Sequence, residues 1–307
     1  MTTNVDHGIH ISVIIPFHRE QPSVYESIKS VFLQSYPACE LILVSDGCKT
    51  DLDLRKLPKA PIKIRTIRLE PNLGPARARN AGMKEAEGNF ISFLDSDDFW
   101  GPDKLLNQVS ILNQQVDKTS IVTVSPVMLI VNKKESHVRF PCLEQSSAGR
   151  ERLFKAPYLY LGSTALFSSK LLQSVGFQNS KLRIYEDFEW QLRLACNNIT
   201  FLSSQCADVF INKSFKHFSR KKLDENYQEL CSSISNHPRF PPKYLKYLSS
   251  VYFIDISRNY LRKGKYIRFI LFLIGSFFIC PRFTLYNAKL WDINYKNGIS
   301  KRRYEEF

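Results

Sequence analysis

No Cys-x-x-Cys pair occurs in this sequence. Its seven cysteines, at 39, 48, 142, 196, 206, 231 and 280, are scattered and odd in number. That argues against a zinc ribbon and a disulfide framework, and suits a reducing cytoplasm. No internal repeat or low-complexity tract is visible. The first residues, Met1 to His7, carry neither a basic nor an apolar leader segment, so no signal peptide is expected. The apolar run from Phe269 to Cys280 has 12 residues. A bilayer-spanning helix needs about 20. Acidic residues are scarce in the last third. Residues 211–307 hold 19 Lys/Arg against 7 Asp/Glu, a net of +12. Residues 1–110 hold 13 against 14, and residues 111–210 hold 11 against 8. So lopsided a block suits an anionic membrane surface or nucleic acid.

What is present is the composition of a globular protein. The 307 residues suffice for one large domain, or a domain plus an extension. The hydrophobic fraction is 44% and the charged fraction 23%, both ordinary for a soluble fold.

Ile11 to Pro16 is a β-branched run closed by proline, apolar on both faces, as in a buried parallel strand. Val24, Ile28, Val31 and Phe32 recur at helical spacing over 22–34. Glu40 to Gly47, Ile62 to Ile67 and Phe90 to Leu94 read as strands, with helices expected over 75–86 and 102–115. This alternation predicts an α/β fold, in which ligands sit beyond the carboxyl ends of the strands. Farther on, Ile121 to Val131 reads as strand, with a turn at Lys133–Ser136. Leu161 to Phe167 reads as strand, a short helix stops at Gly176, and 184–196 is helical.

The stretch Phe90 to Trp100 stands out. An apolar strand ends in three carboxylates, Asp95, Asp97 and Asp98. Like charges this close raise one another's pKa. A hard divalent cation offsets that cost, which points to a metal site holding a nucleotide's diphosphate. The plainer alternative is an Asp-rich turn, with Asp98 capping the next helix.

Five pieces in order carry a family resemblance. They are Val13 to Pro16, Leu43 to Gly47, Asn72 to Gly82, Leu94 to Asp98, and Glu186 to Leu194. Over residues 10–220 the chain resembles the glycosyltransferases of family 2. The resemblance implies the inverting, nucleotide-binding GT-A (Rossmann-like) fold of nucleotide-diphospho-sugar transferases, here with a mostly helical C-terminal extension. The implied division is a catalytic domain over 1–220 and the extension over 221–307. Within the domain, 10–116 form the nucleotide half and 117–220 the acceptor half.

The resemblance also implies roles. Asp95 and Asp97 match the D-x-D motif, with Asp95 toward the nucleoside and Asp97 on Mn2+ or Mg2+. Asp46 contacts the base, and Pro16 brings the backbone close to it. An Asx-turn and a strand stop are the respective structural alternatives. Arg79 lies near the nucleotide, while Arg77, on another face, suits a surface ion pair. Asp187 becomes the general base for the acceptor hydroxyl, with Glu186 and Trp190 on the acceptor side or in support. Helix capping explains the same two carboxylates without catalysis. His217 falls where relatives often place a histidine near the metal; a surface histidine is the alternative. His18 and Arg19 depart from the tyrosine and asparagine of many relatives.

The implied activity moves a sugar from a nucleotide-sugar donor, first of all a UDP-sugar, to a glycan or lipid-linked acceptor in surface polysaccharide synthesis. The expected location is cytoplasmic, peripheral to the inner membrane face, with the basic C-terminal segment on anionic lipid and no nucleic acid bound. Two rivals remain. A sugar-phosphate nucleotidyltransferase needs a glycine-rich loop after the first strand, and Phe17 to Glu20 contains no glycine. A non-catalytic scaffold binding membrane or nucleic acid leaves Asp95, Asp97 and Asp187 unexplained.

Overall fold

The computed structural model describes residues 8–131, 134–138, 151, 153–155, 159–212, 218–281 and 284. His217 and the basic triplet Lys301-Arg302-Arg303 lie outside the described residues.

A seven-stranded mixed sheet organises the chain, in the order β10-β6-β9-β4-β1-β2-β3. Its first strands are β1 (Ile11–Phe17), β2 (Glu40–Asp46), β3 (Lys63–Leu69) and β4 (Phe90–Phe93), all mutually parallel. The rest are β6 (Ile121–Val124), β9 (Leu166–Ser168) and β10 (Thr200–Ser203). Only β9 runs against its neighbours β4 and β6. β1 shows why the strands read as continuous apolar runs. Ile14 enters the core on one face, and Val13 and Ile15 enter the core on the other.

Helices cover both faces. α1 (Pro22–Phe32) and α3 (Lys104–Asn113) pack on the Val13 side. α2 (Pro75–Glu85) and α6 (Glu186–Cys196) pack on the Ile14 side. Two short helices, α4 (Leu161–Thr164) and α5 (Leu171–Val175), flank β9. α7 (Arg220–Ser235), α8 (Leu245–Arg262) and α9 (Tyr266–Ile279) complete the chain. Leu230, Ile234, Leu248, Val251 and Ile254 join the same core as Trp190 and Phe93. The C-terminal helices are thus fused to the sheet domain through its apolar interior.

A second, four-stranded sheet runs β5-β11-β7-β8, from β5 (Phe99–Trp100), β11 (Val209–Asn212), β7 (Val127–Val131) and β8 (Lys134–Val138).

Several sequence expectations need correction. β1 runs through Pro16 to Phe17. Ile14 accepts from Leu94 N, so Pro16, two residues on, turns its missing N–H toward β4 too. β4 pairing stops at Ile14, so no ladder bond is lost. The expected strand Ile121–Val131 is two strands in two sheets, separated at Ser125-Pro126. Lys134 to Ser136 lie in β8, paired with β7, not in a turn. The expected strand from Leu161 begins as the helical turn α4, and only Leu166–Ser168 pairs. Asp98 caps no helix. β5 pairs with β11 and delays α3 to Lys104.

Candidate active site

Four segments bring their polar ends to one place. β4 stops at Phe93, and the chain turns through Asp95, Asp97 and Asp98. α2 starts at Pro75, behind Gly74 at φ +95°, and presents Arg79 from its second turn. α6 starts after Tyr185, whose φ of +70° turns the chain sharply, and carries Glu186 and Asp187 in its first turn. α4 supplies Gly162 and Ser163.

Arg79 joins them. Its side chain is only 3% exposed. Nη2 donates to Asp95 Oδ1 at 2.7 Å, and Nη1 donates to Asp187 Oδ1 at 3.0 Å. Nη1 also reaches Glu186 Oε1 and Gln178 Oε1, at 3.3 and 3.4 Å. Burial alone would lower the guanidinium's pKa. The Asp187, Asp95 and Glu186 carboxylates more than offset this, and the net shift is upward.

The carboxylates feel the reverse balance. Burial and Asp187 raise Glu186 to about 7, against the pull of Arg79. Burial also raises Asp187, and Arg79 opposes it. Gly162 N–H donates to Asp187 Oδ2 at 3.0 Å, which favours the charged form. A side chain at 162 has no room. A Cβ there would lie 2.9 Å from Asp95 Oδ2 and 3.1 Å from Asp187 Oδ2.

Asp98 is buried. It accepts from Ser163 Oγ at 2.6 Å and from Asn212 N at 3.1 Å. Burial raises its pKa, and Asp95 and Asp97 add to this. Behind it, Trp100 Nε1 donates to Ser163 O, and buried Lys104 lies over the Trp100 ring, donating to Ser92 Oγ. These contacts fix α4 against the strand end.

Asp95, Asp97 and Asp187 line one cavity of about 340 Å³. Among the described residues no three His, Cys, Asp or Glu form a metal cage. Magnesium-like ions are commonly held by one or two carboxylates plus substrate phosphates. Hard carboxylate oxygens crowded at Asp95–Asp98 fit such an ion.

The other expected site residues fall elsewhere. Asp46 is buried at the end of β2. Its Oδ1 accepts from Leu73 N at 2.6 Å and its Oδ2 from Gly74 N at 2.8 Å, so it braces the turn before α2. Pro16 is buried within β1. Trp190 is fully buried between Phe93 and Phe167, donating to Gly176 O. Arg77 is exposed.

Sequence reasoning missed Gln178, whose Nε2 donates to Asp187 at 3.3 Å. It missed Gly162, which acts through its backbone and leaves no side-chain signal. It also missed α8, which lends Arg258, Asn259 and Arg262 to the cavity. Their i, i+4 spacing was legible, but nothing local says which surface the helix meets.

Comparisons with known proteins bear on the family and the fold. The model of glycosyl transferase family 2 matches residues 12–175, more than half of the chain. An uncharacterized glycosyltransferase of Haemophilus influenzae is 39% identical over 107 residues, 34% of this chain and 42% of that protein. The Escherichia coli UDP-Glc:alpha-D-GlcNAc-diphosphoundecaprenol beta-1,3-glucosyltransferase WfgD is 31% identical over 146 residues, 43% of this chain and 58% of WfgD. The Staphylococcus aureus poly(ribitol-phosphate) beta-N-acetylglucosaminyltransferase TarS is 27% identical over 234 residues, 73% of this chain and 39% of TarS. The chain thus spans less than two thirds of the length of each. A crystal structure of TarS 1–349 with UDP-GlcNAc superposes at TM-score 0.62 and 20% identity, over 93% of this chain and 89% of that one. That likeness is one of fold, the GT-A arrangement. Family match and fold together place the chain in glycosyl transferase family 2.

Proposed function

We propose that the chain is an inverting glycosyltransferase that moves a sugar from a UDP-sugar to a hydroxyl of a surface-glycan or lipid-linked acceptor. The observation that carries this is Arg79, one buried guanidinium clamped between Asp95 on the strand end and Asp187 on α6. It ties a leaving-group side to a base at fixed separation. UDP-containing names among the relatives support the donor class. Both relatives whose names give an acceptor act on phosphate-bearing ones.

In this reading Asp187 accepts the proton of the acceptor hydroxyl as its oxygen attacks the anomeric carbon. The bond from that carbon to the diphosphate breaks on the opposite face, so the configuration inverts. Gly162 N–H and Arg79 hold Asp187 oriented and ionised. Asp95 faces the nucleoside side. Asp97 would hold Mn2+ or Mg2+, which, when bound, supplies positive charge to the departing diphosphate. Glu186 stiffens the Arg79 clamp. His217 remains a proposed metal neighbour on sequence grounds alone. Asp46 reaches the base only indirectly, by shaping the 72–74 turn.

Residues 1–220 form the proposed catalytic unit and 221–307 its extension. Among the described residues no helix is long and apolar enough to cross a membrane. α9 nonetheless exposes Ile267, Ile270, Leu271, Ile274, Phe277 and Phe278. Lys263, Lys265 and Arg268 flank that face. Such a face suits anionic lipid at the cytoplasmic surface.

Transfer assayed with a panel of UDP-sugars, manganese and acceptor glycans tests the activity, with the product's anomeric configuration read by NMR. A retained configuration, or nucleotidyl transfer instead of glycosyl transfer, refutes the reading. Flotation with vesicles containing anionic lipid tests the α9 face. Ile270→Glu with Phe278→Glu should abolish flotation, and unchanged flotation removes α9 as the contact.

A further inference from the structure

One wall of the cavity comes from none of the motif segments. α8 contributes Asp255, Arg258, Asn259 and Arg262 to the space that also holds Asp97 and Asp187. Spacings of three and four put Asp255, Arg258, Asn259 and Arg262 on one helical face. The face is basic on balance. Its single carboxylate is already engaged: Asp255 Oδ1 accepts from Arg258 at 3.2 Å, and its Oδ2 accepts from Tyr185 Oη at 3.0 Å.

The two guanidiniums crowd each other. Partial burial lowers the pKa of Arg262, and the charge of Arg258 lowers it further. A helix C-terminus alone would favour a cation at Arg262, the last residue of α8. A second cation, Arg258, stands one turn back on the cavity side, paired with Asp255, and the two guanidiniums together outweigh that one carboxylate.

Asn259 supplies a separate observation. It is 8% exposed and lines the cavity. Its Nδ2 donates to Phe218 O at 2.9 Å, while its Oδ1 has no partner. A buried carbonyl oxygen without a donor is costly, and a ligand hydroxyl would satisfy it.

The lining contributed by the other segments is acidic, with Asp95, Asp97, Asp98 and Asp187. An anionic group on the acceptor is therefore driven toward α8, while its hydroxyl must reach Asp187. We propose that Arg258, Asn259 and Arg262 form an acceptor subsite for a phosphate group adjoining a hydroxyl-rich sugar or polyol. The subsite rests on the glycosyltransferase reading given above. Its chemistry, phosphate beside hydroxyls, could also be met by the donor's diphosphate and ribose, and the test separates the two sources.

The test uses the full chain, with UDP, glycerol 3-phosphate and glycerol as probes, followed by NMR titration. UDP should bind the wild-type chain. Glycerol 3-phosphate should then bind the UDP-loaded chain about tenfold tighter than glycerol, the increment of a charge-assisted contact. R258Q/R262Q should remove that preference and leave UDP affinity within about twofold. R262Q alone changes an exposed side chain and should remove part of the preference without touching the fold. If the double variant weakens UDP about tenfold and spares glycerol 3-phosphate, the cations serve the donor and the proposal falls. Equal binding of glycerol and glycerol 3-phosphate also overturns it. A wild-type chain that fails to bind UDP refutes the glycosyltransferase reading instead, a distinct result.

Discussion

Arg79→Gln is the sharpest perturbation of the site. The wild-type guanidinium touches Asp95 at 2.7 Å, Asp187 at 3.0 Å and Glu186 at 3.3 Å, with its side chain 3% exposed. Glutamine keeps much of the volume and removes the charge. Three partly or fully buried carboxylates then lose their shared cation. Breaking a buried pair by removing one partner costs about 3–5 kcal/mol, because the remaining charge stays desolvated. The loss should depend on pH. Glu186 already sits at about 7, raised by burial and by Asp187, with Arg79 pulling it down. Without Arg79, both Glu186 and Asp187 rise further. A carboxylate with a folded pKa above its unfolded value favours the folded state at low pH. That stability is lost as pH rises toward and through the folded pKa. Near pH 4.5 the variant can protonate Glu186 and Asp187, so the loss should shrink to about 1 kcal/mol, the scale of ordinary hydrogen bonds. Near pH 8 the full 3–5 kcal/mol, roughly, should appear. Urea unfolding followed by circular dichroism at both pH values, with chelator present, measures the difference. Equal destabilisation at both would refute the claim that Arg79 holds down the pKa values of Glu186 and Asp187.

Three further outcomes follow from the same geometry. Asp187→Asn should lower the transfer rate about 10²- to 10⁴-fold, the usual contribution of a general base, while UDP affinity stays level; a full transfer rate would remove Asp187 as base. Glu186→Gln should flatten the stability–pH curve between about pH 4.5 and 7, where the wild-type chain loses stability on ionising Glu186, an effect of at most about 3 kcal/mol; thermal melts across that range would show a curve no flatter than wild type if burial of Glu186 is unimportant. Asp46→Asn leaves one amide oxygen where two carboxylate oxygens now accept from Leu73 N and Gly74 N, so it should cost about 1–3 kcal/mol in denaturant unfolding, and an unchanged midpoint would contradict the turn-bracing role.

The first 115 residues were the most legible, because β1, β2 and β4 are buried on both faces and the helices carry clear apolar spacing. Legibility fell where pairing depends on partners distant in sequence. Ile121 to Val131 is uniformly apolar, and only the partners β10 and β11 reveal that it divides between two sheets. Leu161 to Phe167 has strand composition, yet Ser163 and Gly162 are pulled into a helical turn by Asp98 and Asp187. The carboxylates of the site were visible as residues but not as a network. Arg79 was expected near the nucleotide, and its two Nη atoms donate to Asp95, Asp187 and Glu186. Trp190 looked functional beside two acids. Its ring, however, is fully buried against Phe93 and Phe167, beneath the helical face that carries the two acids.

The basic excess of the last third resolves into two populations once the helices are placed. Arg258 and Arg262 face the cavity. Lys263, Lys265 and Arg268 begin immediately afterwards and flank the apolar side of α9. The two populations meet at Arg262-Lys263, where α8 ends and α9 is about to start. Ser250 of α8 and Ser276 of α9 share a buried hydrogen bond at 2.9 Å, so the two helices are bound side by side. A lipid surface engaging α9 would therefore be coupled to the helix that lines the catalytic cavity. In the proposed reading, docking and acceptor capture would then depend on this one helix pair, and a phosphate-bearing acceptor anchored in the surface would meet the Arg258–Arg262 face. A free acceptor lacks the surface and must rely on the subsite alone. The α9 face should accordingly alter KM for a lipid-anchored acceptor and leave KM for its soluble counterpart unchanged, which separates anchoring from catalysis in a single comparison.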